Sequence, residues 1–364
     1  MSGGVDSSAT AALLLEQGYE VIGITLKLWP QDCVNRAEDK CCGPQAVADA
    51  RSVCHKLDIP YYLIDEAAEF QKHVIQYFAD EYKAGRTPNP CVMCNQNLKF
   101  GRLIDRADQL GAKFIATGHF ARIERTLTPS LSHPMGEGGR RPGEGRYLLK
   151  RGRDARKDQS YFLFSLRQDQ LARALFPLGE KTKSDTREVA RHCHLKTADK
   201  EESMEICFVP DNDYGKFLEQ ANLAQKHRGE IRDLHGRVLG HHDGIEFYTI
   251  GQRKGLGLSS PQPLYVIELD AAANRVVVGD ESALDRDEFL VERCNWIPFD
   301  SPPDQLEVTT KIRYNHPGTP ATVTSLGHGR AKVKLHTPQR AVTPGQAAVF
   351  YQEDLVVGGG WITR

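Results

Sequence analysis

The feature that most limits how this chain can fold is the alternation of helix-period and strand-period apolar patterns over its first 116 residues, at the spacing of a doubly wound parallel α/β sheet. A helix is expected from about Ser7 to Gln17, with Gly18 as its stop. A strand follows over Tyr19 to Leu28, where Ile22, Ile24, Leu26 and Leu28 alternate with Gly23, Thr25 and Lys27. Pro44 opens a second helix carrying Val47, Ala50, Cys54 and Leu57, and Tyr61 to Ile64 reads as a strand. Phe70, Val74 and Phe78 mark a third helix. Leu98, Leu103, Ile104, Ala107 and Leu110 mark a fourth, stopped by Gly111, and Phe114 to Ala116 reads as a further buried strand. A glycine loop that feeds a helix normally follows a strand, and here the loop begins at Ser2. The expectation is that translation starts upstream and a first strand precedes the sequence.

At 364 residues the chain is long enough for two or three domains, each with its own core. Residues 126–145, TLTPSLSHPMGEGGRRPGEG, hold too few apolar side chains to bury themselves and are expected to be a disordered insertion. Beyond about residue 208 the pattern changes to short apolar segments between Gly, Pro, Asn and Asp. From Arg275 onward the recurring strand-length segments suit a small antiparallel barrel. The expected division is 1–202 for the α/β domain, 203–275 for a small, mostly β central domain, and 276–364 for a C-terminal antiparallel β-barrel. No apolar run approaches a membrane span and no secretory segment opens the chain, so a cytoplasmic protein is expected. In that reducing compartment the nine cysteines point to sulfur chemistry or metal binding before structural disulfides.

Two constellations carry chemistry. Ser2, Gly3, Gly4, Val5, Asp6, Ser7 and Ser8 form SGGVDSS at a helix start: the glycines let backbone N–H groups face an anion, the hydroxyls can donate to phosphate, and Asp6 suits Mg²⁺. The ending is not that of a Walker A loop, and the bland alternative is an Asp/Ser helix cap. The second is Cys91 and Cys94 in GRTPNPCVMCN, a C-x-x-C that suits half a zinc site, a redox pair, or two thiolates awaiting a third. No second C-x-x-C or H-x₃₋₅-H closes a structural zinc site, and adjacent Cys41 and Cys42 cannot comfortably share one. Cys207, between Ile206 and Phe208, suits either a buried apolar cysteine or a distant partner.

SGGVDSS resembles the loop of the N-type ATP pyrophosphatases, the PP-loop enzymes, which adenylate a carbonyl oxygen and release pyrophosphate. SGGVDSS, GRTPNPCVMCN, ATGHFA, KDQSYFL, MEICFVP, FYTIGQRKGL, KIRYNH and PGQAAVFY together resemble the bacterial tRNA-specific 2-thiouridylases in order and spacing, from residue 2 to 361 apart from the insertion. The resemblance implies ATP- and Mg²⁺-dependent replacement of the C2 oxygen of the wobble uridine by sulfur in tRNAs for Lys, Glu and Gln. By that resemblance Cys94 is the nucleophile and Cys207 carries a persulfide received from a sulfur-relay protein or cysteine desulfurase. It also implies that Leu26 and Gly118 contact ATP. Contacts with tRNA are implied for Asn89, Pro90 and Cys91 at the target base, and for His119, Lys157, Asp158, Gln159, Arg313, Tyr314 and Gln346. The sequence departs from the commonest pattern at Cys91, where the family has an acid. Cys91, Cys94 and Cys207 together suit a [4Fe-4S] site with one open iron position, an alternative that stands beside the persulfide route.

The formal net charge of −1 rules out only a uniformly basic nucleic-acid binder. Between Arg140 and Lys157 the bases Arg140, Arg141, Arg146, Lys150, Arg151, Arg153, Arg156 and Lys157 face only Glu144 and Asp154, which suits tRNA phosphates or an ordinary solvated face. PP-loop synthetases that use ammonia or an amino acid as nucleophile share the ATP chemistry but require neither the cysteine set nor the barrel. A non-catalytic tRNA-binding module would not require SGGVDSS.

Overall fold

The computed structural model of the chain describes residues 1–28, 43–126, 145–201, 206–209 and 212–363. Cys41, Cys42, Arg140, Arg141, Glu144 and nearly all of the expected insertion lie outside the described residues. The first unit carries α1 (Val5–Glu16), β1 (Gly23–Lys27), α2 (Pro44–Lys56), β2 (Tyr61–Asp65), α3 (Ala67–Phe70), α4 (Gln76–Lys83), α5 (Pro90–Cys94) and α6 (Leu103–Gln109). It continues with β3 (Ile115–Ala116), β4 (Ala121–Thr126), β5 (Arg146–Arg151), α7 (Gln168–Leu171), β6 (Ala174–Leu175) and α8 (Lys183–His192). As the alternating pattern requires, β1 pairs parallel with β2 and β3 pairs parallel with β6. Met1 lies beside β1, its carbonyl accepting from Thr25 Oγ1 at 2.8 Å. Phe114, expected in a buried strand, is 44% exposed and meets Tyr19 edge-on.

The central unit holds α9 (Tyr214–Gln220), β7 (Gly229–Asp233), β8 (Val238–His242), β9 (Tyr265–Asp270) and β10 (Arg275–Gly279), in the sheet order β8-β7-β10-β9. Because β10 pairs with both β7 and β9, this sheet runs to Gly279 and crosses the boundary expected at 275/276. Phe70, Val74 and Phe78 of the first unit bury against Phe208, Phe217 and Leu218, and the rings of Phe78 and Phe208 meet edge-on at 5.1 Å. That apolar contact fixes where Cys207 sits, because Phe208 is the next residue.

The last unit is built from β11 (Asp285–Trp296), β12 (Gln305–Lys311), β13 (Thr319–Gly327), β14 (Arg330–Arg340), β15 (Ala347–Gln352) and β16 (Leu355–Thr363). The order β11-β14-β13-β12-β15-β16 closes on itself through β11 and β16, which removes the exposed edges of an open sheet. The hairpin β4–β5 of the first unit joins this barrel at β16, where Lys150 pairs with Leu355. Leu149, Tyr161, Phe164, Tyr351 and Trp361 bury along this seam. Among the described residues no helix is long and apolar enough to cross a membrane.

Candidate active site

At the amino terminus, Gly3 adopts φ +69°, and a Cβ there would lie 2.3 Å from the Ala46 carbonyl oxygen, so only glycine lets the loop press against α2. Gly4 is the N-cap of α1 and supplies no side-chain cap. The first N–H groups of this twelve-residue helix therefore have no capping side chain, the arrangement that suits an anion. The Ser7 and Ser8 hydroxyls both donate to the Gly4 carbonyl, at 3.1 and 2.9 Å, and brace the loop, while exposed Ser2 approaches Ser7 Oγ. Val5 is buried against Val53 and Ala190 and anchors the helix start. Gly118, just beyond β3, lies so close to the first turn of α1 that a Cβ there would meet Asp6 backbone and side-chain atoms at 2.9 Å.

Lys183 was not legible as a site residue in the sequence. It opens α8, is 12% exposed, and places its ammonium 2.6 Å from Asp6 Oδ1 and 5.7 Å from the centre of the Phe120 ring. No local motif announces it, because its partner is 177 residues away. The loop thus combines an uncapped helix start, one carboxylate and one lysine. That set fits Mg²⁺ held chiefly by substrate phosphates, since this ion is commonly bound through one or two carboxylates plus phosphate oxygens. Leu26, in β1, is half-buried.

The second part of the site is the loop entering α5. The Asn89 side chain caps the helix by accepting from Val92 N at 3.4 Å, with Pro90 at the first helical position. The C-terminal unit clamps this loop: Gln346 Nε2 donates to the carbonyls of Thr87 at 3.2 Å and Pro88 at 3.0 Å, and Thr87 N donates to the Pro344 carbonyl at 2.8 Å. Gly345 sits so near Thr87 that a Cβ would fall 2.8 Å from its carbonyl oxygen. Cys91 is exposed, whereas Cys94 is half-buried. Cys94, Cys207 and Leu26 all pack against the apolar cluster of Phe70, Phe78 and Phe208. The structure thus brings the two cysteines and one of the expected ATP contacts to a single apolar wall. Among the described residues no group of three His, Cys, Asp and Glu side chains that could hold a metal ion is found.

The expected tRNA contacts separate into two kinds. His119 is buried between Phe100 and Phe176, with Thr117 Oγ1 2.7 Å from Nδ1, and burial holds its pKa well below 6.5 with Lys99 adding to the effect. Asp158 is 5% exposed and accepts from Gly152 N, Ser160 N and Ser160 Oγ; Gln159 Oε1 accepts from Phe120 N. Those two side chains shape the loop that carries half-buried Lys157. Arg313 is exposed, and Tyr314 leans on Phe162 with ring centres 4.5 Å apart. Two side chains of the basic run already have acid partners. Arg146 reaches Asp300 at 2.6 Å, and Lys150 pairs with Glu124 at 2.8 Å.

Three family descriptions match successive stretches of the chain: tRNA methyl transferase HUP domain over residues 1–211, tRNA methyl transferase PRC-barrel domain over 215–280, and aminomethyltransferase beta-barrel domain over 286–362. Among similar proteins, the tRNA-specific 2-thiouridylase MnmA of Geobacter metallireducens is 49% identical over 366 residues, covering 100% of this chain and 95% of that protein. The protein of the same name from Moorella thermoacetica is 49% identical over 363 residues, covering 100% and 98%. That from Carboxydothermus hydrogenoformans is 47% identical over 366 residues, covering 100% and 96%.

Proposed function

The chain belongs to the tRNA-specific 2-thiouridylase family, and from that premise we propose that it is a cytoplasmic enzyme that replaces the C2 oxygen of the wobble uridine in tRNAs for Lys, Glu and Gln with sulfur, at the expense of ATP. The uridine C2 carbonyl is a poor electrophile because oxide is a poor leaving group. The N–H groups at the start of α1 and the Lys183 ammonium orient the triphosphate, so that uridine O2 can attack the α-phosphorus and pyrophosphate departs. Asp6 is the residue that would hold Mg²⁺ beside the phosphates, where the ion would supply charge neutralisation.

The product is an adenylated O2. Cys207 carries a persulfide received from a sulfur-relay protein or a cysteine desulfurase. Its terminal sulfur attacks C2, AMP leaves with the former O2, and C2 is joined to Cys207 through a disulfide. The Cys94 thiolate then attacks the Cys207 sulfur. The S–S bond to the base breaks, its electron pair stays on the transferred sulfur as the C2 thiocarbonyl, and Cys94 and Cys207 are left oxidised as a disulfide that a dithiol must reduce before the next cycle.

The observation that carries this reading is the packing of Cys94 and Cys207 against one apolar cluster although 113 positions separate them in the chain (207 − 94). A single turnover with tRNA, ATP and persulfide donor, quenched by alkylation and followed by peptide mass spectrometry, should yield a Cys94–Cys207 disulfide. Absence of that disulfide, together with thiolation by either Cys→Ser variant, would overturn the reading. Iron and sulfide quantitation on anaerobically purified protein, with the Cys91→Ala variant alongside, decides against it from the other side if iron and thiolation are lost together.

A further inference from the structure

Two cations lie near each other across the seam between the first unit and the barrel, and among the described residues no counter-ion pairs with either one. Arg151 ends β5 and lays its guanidinium 3.9 Å from the centre of the Tyr351 ring, and its Nε is buried with no hydrogen-bond partner. Lys311 ends β12 and holds its ammonium 5.7 Å from the centre of the Tyr314 ring. Among the described residues neither forms an ion pair. The acid beside them is Asp158, whose carboxylate is already occupied by Gly152 N, Ser160 N and Ser160 Oγ. Burial lowers the Lys311 pKa; Asp158 offsets this in part and Arg151 adds to it.

A partly desolvated pair of cations with one committed acid is an unfavourable arrangement for the protein alone, and an incoming anion relieves it. The position of the pair identifies the anion. Tyr314 packs on Phe162 at 4.5 Å and lies 6.1 Å from Tyr161, whose hydroxyl donates to the Ala347 carbonyl at 3.0 Å and lies beside the Asn89 side chain. A chain of aromatic contacts through Tyr314 and Tyr161 therefore leads from Lys311 to Asn89, which opens the loop Asn89–Cys91. Aromatic faces beside fixed cations suit a strand whose bases are splayed out and whose backbone is anionic.

We propose that Arg151 and Lys311 form a two-cation site for a phosphodiester of the RNA strand next to the nucleotide presented at Asn89–Cys91. The proposal rests on the tRNA-thiolation reading and adds residues from both sides of the seam to it.

The test is the dependence of tRNA affinity on salt for wild type, Lys311→Gln, Lys311→Arg and Arg151→Gln, with ATP binding measured alongside and folding checked by thermal melting. The site predicts that Lys311→Gln lowers the slope of log affinity against log salt by about 0.7 and weakens tRNA binding roughly 5- to 10-fold, as loss of one phosphate contact does. Lys311→Arg retains the wild-type slope, and ATP binding does not change. Arg151→Gln gives an independent reading should Lys311→Gln melt early. Unchanged slopes in folded Lys311→Gln and Arg151→Gln overturn the site, as does a loss of ATP binding without loss of tRNA binding. Failure of the wild type to bind tRNA at all would instead defeat the thiolation reading, and this site with it.

Discussion

The Lys183 ammonium lies 2.6 Å from the Asp6 carboxylate, so the first residue of α8 neutralises the one carboxylate of the amino-terminal loop. In the absence of triphosphate this pair holds the loop in a near-neutral state. With phosphates bound, the lysine has a second anion to serve. Lys183→Met should lower kcat/KM for ATP about 100-fold, the scale of losing one preorganised charge donor. It should leave the melting temperature within a few degrees of wild type, since a partly exposed ion pair contributes about 1 kcal/mol or less. Pyrophosphate release at varied ATP measures it, and an unchanged ATP dependence would remove Lys183 from the site.

Gln346 makes both of its carbonyl contacts to the loop that leads into Cys91 and Cys94. Gln346→Ala removes two neutral hydrogen bonds, worth about 1–3 kcal/mol together. The expected outcome is a thiolation rate lower by 10-fold or more with ATP binding intact, because the loop and not the nucleotide pocket is loosened. Equal losses in both would show that the barrel supports the whole site instead of this loop.

Cys94→Ser and Cys207→Ser should each abolish thiolation while ATP- and tRNA-dependent pyrophosphate release continues. Neither substitution touches the residues at the start of α1. Both thiols are half-buried at the edge of an apolar cluster, so folding should survive the change. Pyrophosphate release that disappears along with thiolation would mean that the cysteines act before adenylation.

Acid should weaken the fold through His119. Its folded pKa lies well below 6.5, so the unfolded chain takes up this proton first. The contribution is fully present above about pH 6.5 and declines as pH falls below it, by on the order of 1 kcal/mol at pH 5.5. Chemical denaturation at pH 7.5 and 5.5 should show a smaller acid loss in His119→Gln than in wild type. Equal losses would clear His119 of the effect.

The doubly wound pattern, the glycine loop and the barrel strands were legible because each is written in local periodicity or in residue types that meet a backbone demand. The placing of Ile24, Ala50 and Val74 on their elements needed nothing more distant than neighbouring residues of the same segment. What was not legible depended on contacts between remote segments. Lys183 looks like an ordinary surface lysine until α8 is laid beside α1. The basic stretch reads as one patch, yet Arg146 and Lys150 spend their charge on Asp300 and Glu124 within the fold. The role expected of Cys207 rests on resemblance alone, and its position beside the cluster that Cys94 also meets depends on the remote contact of Phe208 with Phe78. By composition β10 looks like a first barrel strand, yet it pairs with β7 and β9, so the boundary expected at 275/276 falls at its start.

The hairpin β4–β5 has a mechanical consequence. Its strands are laid edgewise onto β16, while the residues just before and after it, Gly118 and Gln159, reach the first turn of α1 and the backbone of Phe120. A shift of the barrel would therefore pull on the start of α1 through one continuous piece of chain.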